Sequence, residues 1–186
     1  LRLSIEAMPE GSLAFPDEPI YRVSGPVAQG LLVETPCTNS LNSQALFATL
    51  ASRLVTVADG QPVTDNGLRR SHSIGGLSEA RAIFLGGFIG TSNDQAAMYY
   101  NIPSYGTMAH AFVMFFDTEL EAFRGYMKAM PHNCTLLVDT YDSYQGIENA
   151  ITAAIESGRK VGDVFVSPLK SIREDSGDLA TKSALW

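Results

Sequence analysis

Cys134-Thr135-Leu136-Leu137-Val138-Asp139 is the stretch on which the fold turns. It is an apolar run of strand length that ends in a carboxylate, and it predicts a buried β-strand. Just after it, Tyr144 to Ser157 spaces its apolar residues as an amphipathic helix does. A further strand is expected immediately before Asp175. Strand, helix and strand in that order make a βα unit. Such units build parallel sheets whose chemistry gathers where strands end and loops begin.

The same alternation runs back toward the N-terminus. Glu119 to Met130 reads as a helix, and Ser104 to His110 leads into an apolar helix from Ala111 to Phe116. Helices are also expected from Ser92 to Tyr100 and from Ser78 to Leu85, the latter after a glycine break. Val63 to Arg70 is expected as a strand. Ahead of it, a helix with a small-residue stripe (Leu41, Ala45, Leu46, Ala48, Thr49, Ser52, Arg53) should begin at Pro36 and end near Gly60-Gln61-Pro62. The opening segment reads as short strands and turns. Pro19-Ile20-Tyr21-Arg22-Val23-Ser24 alternates like a half-buried strand, and Gly25-Pro26 closes it. The fold class is therefore α/β. A small α+β segment at 1–60 with a bridging helix precedes βα units over 61–186.

Composition bounds the function. The 186 residues are 45% hydrophobic and 18% charged, which is a globular balance able to bury a core. No apolar run reaches the roughly 20 residues needed to span a bilayer. Thirteen basic against 20 acidic residues give a net charge of -7, which argues against general nucleic-acid binding. Cys37 and Cys134 are too few and too far apart for a disulfide scaffold and suit a reducing cytoplasm. No His or Cys shows metal-ligand spacing, and His72 and His132 have no evident metal partner. The first residues lack the core and cleavage site of a signal peptide, and there is no initiator Met.

Polar clusters fall at expected strand ends: Gly67-Leu68-Arg69-Arg70, Gly106-Thr107-Met108-Ala109-His110, Val138-Asp139-Thr140-Tyr141-Asp142, and Arg173 through Leu179. If the strands are parallel neighbours, these clusters share one face. Paired guanidiniums suit phosphates, carboxylates suit ribose hydroxyls or a metal, and an imidazole supplies a base or nucleophile near neutral pH. Each cluster also has a plain structural reading. Adjacent arginines form solvated surface pairs, and a histidine at a helix start is often simply satisfied there. Asp139 and Asp142 could cap the following helix, and Asp175-Ser176-Gly177-Asp178 could be a turn. Gly86-Gly87-Phe88-Ile89-Gly90-Thr91-Ser92-Asn93 resembles a phosphate-cradling loop but lacks the P-loop lysine, so packing and capping compete with that reading. Glu119 and Glu121 read as a wet helix face.

In order along the chain, these motifs resemble the nicotinate phosphoribosyltransferase family. The runs are Leu68-Arg69-Arg70, Gly86-Gly87-Phe88 with Thr91-Ser92-Asn93, Gly106 to His110, Leu136 to Asp142, and Asp175-Ser176-Gly177-Asp178-Leu179. Glu10-Gly11-Ser12-Leu13-Ala14-Phe15-Pro16 and Leu32-Val33-Glu34-Thr35-Pro36 resemble its N-terminal portion. The resemblance implies a partial irregular α/β barrel beside a domain assembled from both ends of the chain. It implies transfer of phosphoribose from phosphoribosyl pyrophosphate to nicotinate, in NAD biosynthesis, with ATP hydrolysis coupled through a phosphohistidine. His110 matches that histidine. Asp139 and Asp175, with Asp178, match acidic positions facing the ribose and magnesium-bound pyrophosphate. Arg69 and Arg70 match the arginines beside the nicotinate carboxylate and phosphates; Thr107, Ser176 and Gly177 complete the substrate-binding set. Mg2+ accompanies the phosphorylated substrates, and the intact enzyme is expected to be a cytoplasmic homodimer.

The family's N-terminal tyrosine motif has no counterpart before Leu1, and the family continues with further strands beyond the Asp-Ser-Gly-Asp motif. The stretch Gly162 to Ser171 is also longer than the usual lead into that motif. The expectation is a fragment lacking the extreme N-terminus and the C-terminal half. Two other readings remain: a non-catalytic shortened relative that binds nucleotide or a partner, and a nicotinamide-using phosphoribosyltransferase. A Cys-His hydrolase built on Cys37 and His110 has no supporting signature.

Overall fold

A computed structural model describes residues 1–183. The chain falls into two compact units, Leu1–Tyr105 and Gly106–Trp186.

In the first unit, β1 (Ser4–Ala7) pairs antiparallel with β2 (Tyr21–Ser24), with Ile5 opposite Val23. The alternation of Tyr21 and Val23 matches the strand expected there, while β1 carries no clear period of its own. The long helix α1 spans Val27–Val57 and contains Pro36, so it begins well before the expected start. Pro36 has no N–H for the Leu32 carbonyl, but both residues are exposed and water can take that place. The expected strand from Val63 to Arg70 is a second correction. Only β3 (Thr64–Asp65) is extended, and Leu68–Arg70 closes into a 3-10 turn. The Asp65 side chain accepts from the Gly67 N–H at 2.7 Å and bends the chain there.

Helix α2 (Gly75–Leu85) follows, then β4 (Gly90–Thr91), parallel to β3, and α3 (Asp94–Tyr100). The glycine-rich run before α3 is used for packing and capping. A side chain on Gly86 would meet the Ala48 carbonyl and Ala51 Cβ of α1 at 2.5 and 2.6 Å. Asn93 caps α3 by accepting from the Ala96 N–H.

The second unit opens with a short helix, α4 (His110–Val113), rather than the longer Ala111–Phe116 helix expected. Then come α5 (Glu119–Ala129), β5 (Cys134–Leu137), α6 (Ser143–Ser157), a hairpin of β6 (Arg159–Val161) and β7 (Val164–Val166), β8 (Leu169–Arg173) and α7 (Leu179–Ser183). The hairpin fills the long lead after Gly158 and has Gly162 at φ +63 in its turn. β5 and β8 pair in parallel, with Leu136 beside Ile172 and Leu137 beside Arg173. This is the βα arrangement expected from the sequence. Among the described residues the sheets are two-stranded pairs and none closes on itself.

The core of this unit joins Phe123 and Met127 of α5, Leu136, Leu137 and Val138 at β5, and Ala150 and Ala153 of α6. Each large apolar side chain so buried contributes about 1.5–3 kcal/mol. The small residues of α6 let it lie close to the strand end. Gly146 rests against the Val138 carbonyl, where a Cβ would collide with it. Among the described residues, no helix is long and apolar enough to cross a membrane. Residues 184–186 of the expected span 61–186 lie outside the described residues.

Candidate active site

The parallel pairing of β5 and β8 carries their following loops to the same end. The Val138 N–H donates to the Arg173 carbonyl at 3.1 Å and extends the ladder one step past the strands. Asp139 emerges there, its side chain only 1% exposed. Its Oδ2 accepts from the Asp175 N–H at 3.0 Å and from the Ser176 hydroxyl at 2.6 Å. Its Oδ1 is buried without a hydrogen-bond partner. His110, the first residue of α4, brings Nε2 to 3.9 Å from that Oδ1 and to 3.9 Å from Asp175 Oδ2. On the other edge of the ring, His110 Nδ1 lies 3.2 Å from Thr140 Oγ1. The imidazole is 40% exposed, open enough to meet a ligand while its back is held by carboxylates.

Arg173 ends β8 beside this group. Its guanidinium donates to Thr107 Oγ1 at 2.9 Å and pairs with Asp175. Thr107 in turn donates to the Met108 carbonyl. Glu174 faces the other way and accepts from the Ser143 hydroxyl at 2.7 Å and from Lys182. Lys182 also donates to the Ser176 carbonyl at 3.2 Å, so α6, α7 and the loop between β8 and α7 are tied together. Gly177 takes φ +81 in that loop, a conformation that favours glycine.

The second unit thus brings together His110, Asp139, Asp175, Ser176 and Thr107. Asp178 accepts from the Thr181 N–H and hydroxyl at the start of α7, and the hydroxyl bond holds its carboxyl below the ordinary value. Asp142, not Asp139, caps α6, by accepting from the Gln145 N–H. Arg69 and Arg70 belong to the first unit, exposed on the 3-10 turn that follows β3.

The interactions of two groups are not apparent from the sequence. Arg173 is visible as the basic residue ending the expected strand, but its fork onto Thr107 and Asp175 is not. Glu119 is a correction: it is buried rather than a wet helix face, with Oε2 accepting from Asn149 Nδ2 at 2.9 Å and Oε1 unpartnered. Burial pushes its carboxyl above the usual range, the Asn149 bond opposes this, and the charges of Asp142 and Asp139 add to the rise. The signal is its register, three and four residues ahead of buried Ala122 and Phe123. Among the described residues, no cluster of three His, Cys, Asp or Glu side chains is placed to hold a metal ion unaided.

Parallel strand ends that hold an imidazole between two carboxylates, with a guanidinium fork alongside, define an α/β protein whose site is formed by the loops after its strands. The chain belongs to the nicotinate phosphoribosyltransferase (NAPRTase) family, whose model matches residues 62–185. It is 41% identical over 174 residues to the nicotinate phosphoribosyltransferase pncB2 of Mycobacterium tuberculosis, covering 93% of this chain and 36% of that protein. A nicotinate phosphoribosyltransferase of Bacillus subtilis is 41% identical over 176 residues, covering 94% of this chain and 34% of its own length. The crystal structure of human nicotinic acid phosphoribosyltransferase superposes with a TM-score of 0.86 at 29% identity, over 98% of this chain and 45% of that one. The chain therefore spans less than half the length of these relatives.

Proposed function

We propose that this chain carries the phosphohistidine portion of a nicotinate phosphoribosyltransferase. Such an enzyme joins nicotinate to C1 of phosphoribosyl pyrophosphate, giving nicotinate mononucleotide and pyrophosphate, with ATP hydrolysis coupled to the transfer. The observation that carries the reading is His110 with Nε2 beside Asp139 Oδ1 and Asp175 Oδ2, both at 3.9 Å.

Carboxylates beside Nε2 favour a proton on that nitrogen and leave the lone pair on Nδ1. Nδ1 exchanges its contact with the Thr140 hydroxyl for the terminal phosphorus of ATP: the N–P bond forms, the bond to the ADP oxygen breaks, and ADP leaves. The ring then bears positive charge, which the two carboxylates stabilise. Water later takes the phosphoryl group, releasing phosphate and restoring the neutral ring. In the transfer step, pyrophosphate departs from C1 of the ribose and positive charge grows there. A carboxylate of the Asp139–Asp175 pair stabilises that charge until the nicotinate nitrogen bonds to C1.

Arg69 and Arg70 hold the nicotinate carboxylate and phosphate oxygens, since a guanidinium binds either through parallel N–H donors. Within the second unit, Thr107, Ser176, Gly177 and Asp178 make up the phosphate-binding set. The carboxylate of Asp175, 43% exposed, supplies hard oxygen donors that fit Mg2+ when phosphate oxygens complete its shell. The ion would neutralise pyrophosphate charge as it leaves. In this reading, residues 1–60 belong to an N-terminal α+β domain and 61–186 to the first units of an irregular barrel, within a cytoplasmic homodimer.

The test is steady-state formation of nicotinate mononucleotide from nicotinate and phosphoribosyl pyrophosphate by the intact protein that contains these residues, with and without ATP. Turnover stimulated by ATP, with nicotinamide far poorer than nicotinate, is the expected result. No product from either ring would favour a non-catalytic relative, and a preference for nicotinamide would reassign the substrate.

A further inference from the structure

Asp65 is a buried carboxylate that the proposed chemistry does not use. It ends β3, and both of its oxygens are engaged. Oδ1 accepts from the Gly67 N–H at 2.7 Å, and Oδ2 accepts from the Thr91 hydroxyl at 2.8 Å. Thr91 Oγ1 accepts in its turn from the Asn93 N–H at 3.1 Å, and the Asp65 carbonyl accepts from the Ser92 N–H at 2.7 Å. One carboxylate therefore locks the end of β4 and the cap of α3 to the start of the Leu68–Arg70 turn. Within that turn the Arg70 N–H donates to the Gly67 carbonyl at 2.8 Å.

The far side of the turn is held as tightly. A Cβ on Gly76 would sit 3.1 Å from Leu68 Cδ1 and 3.2 Å from Ser71 Cβ, so α2 lies against the turn at a glycine. Asn93 Nδ2 donates to the Gly76 carbonyl at 3.2 Å and joins that contact to the Thr91–Asp65 chain. Arg69 and Arg70 leave this clamped backbone as exposed side chains.

We propose that Asp65 is a positioning residue: through Gly67 on one side and Thr91 on the other, it fixes the turn that presents Arg69 and Arg70 to an anionic substrate. A carboxylate suits this role because it accepts from a backbone N–H and a hydroxyl in fixed directions at once. Long guanidiniums amplify any error at their root, and a misplacement of about 1 Å can cost a hundredfold in a binding or reacting geometry. The inference rests on the role given above to the two arginines.

The parent protein and its Arg70→Gln, Asp65→Ala, Thr91→Val and Thr91→Ser variants are titrated calorimetrically with nicotinate and, separately, with inorganic pyrophosphate. Each is also labelled at His110 from γ-labelled ATP. Asp65→Ala and Thr91→Val are expected to weaken both anions roughly tenfold or more, with labelling within about twofold of the parent. Thr91→Ser keeps the hydroxyl and should restore affinity. If the parent binds neither anion, or Arg70→Gln binds as the parent does, the role of the arginines falls and this inference with it. If Arg70→Gln weakens binding while Thr91→Val, folded by near-ultraviolet circular dichroism, does not, the inference about Asp65 alone is overturned. Parallel loss of affinity and of label in Thr91→Val would overturn it too, by showing general collapse.

Discussion

His110 Nε2 and Asp139 Oδ1 lie 3.9 Å apart, and that oxygen is buried without any hydrogen bond of its own. A carboxylate in that position has one evident use, to meet positive charge on the imidazole or beside it. Asp139→Asn keeps the shape and removes the charge. Turnover supported by ATP is expected to fall by roughly a hundredfold or more. The thermal midpoint should move little, because the amide can still accept from the Asp175 N–H and Ser176 hydroxyl. Steady-state kinetics beside a melting curve checks this, and unchanged turnover would detach Asp139 from the chemistry.

Glu119 gives a pH signature. Its carboxyl is raised above 4.5 by burial first, against the Asn149 bond, with the charges of Asp142 and Asp139 adding to the rise. The folded state therefore holds a proton that the unfolded chain has already lost, so stability falls as pH rises from the ordinary glutamate value through the raised one. Glu119→Gln keeps an acceptor for Asn149 and cannot ionise. The variant should melt at or above the parent at neutral pH and converge with it under acid conditions. A variant less stable than the parent at neutral pH would refute this.

Much of this is legible in the sequence, for physical reasons. Cys134 to Val138 is an apolar run of strand length, and Tyr144 to Ser157 carries the period of an amphipathic helix. His110, Asp139 and Asp175 stand at the ends of such elements, which is why the parallel pairing of β5 and β8 gathers them. What cannot be read depends on single side-chain bonds. Asp65 turns a strand into a 3-10 turn by taking one N–H, and neither composition nor period records that. Pro36 reads as a helix start because its missing donor is a local fact, while the solvation that lets α1 continue through it is not. Glu119 reads as a surface residue because its charge masks its register.

The thiols should differ sharply in reactivity. Cys134 is fully buried on β5, and burial pushes its thiol up to about 11. Native protein at pH 8 is expected to take one equivalent of iodoacetamide, at the half-buried Cys37, and a second only on unfolding. Peptide mapping of the alkylated protein decides it; modification of Cys134 in the folded state would contradict its burial.

Gly146→Ala tests the contact that seats α6 on the strand end. The added methyl would run into the Val138 carbonyl. A loss of about 1–3 kcal/mol in denaturant unfolding is expected, with activity falling because Val138 immediately precedes Asp139. A variant as stable as the parent would mean that the helix shifts without disturbing the strand.

Acid-labile phosphate on His110 is the most direct measurement. The protein is incubated with γ-labelled ATP, quenched under alkaline conditions, digested and mapped, with His110→Ala in parallel. Label that is stable to alkali, lost in acid, confined to the peptide containing His110 and absent from the variant is the expected result. Label elsewhere, or none on a folded protein that binds ATP, would contradict the role given to this imidazole.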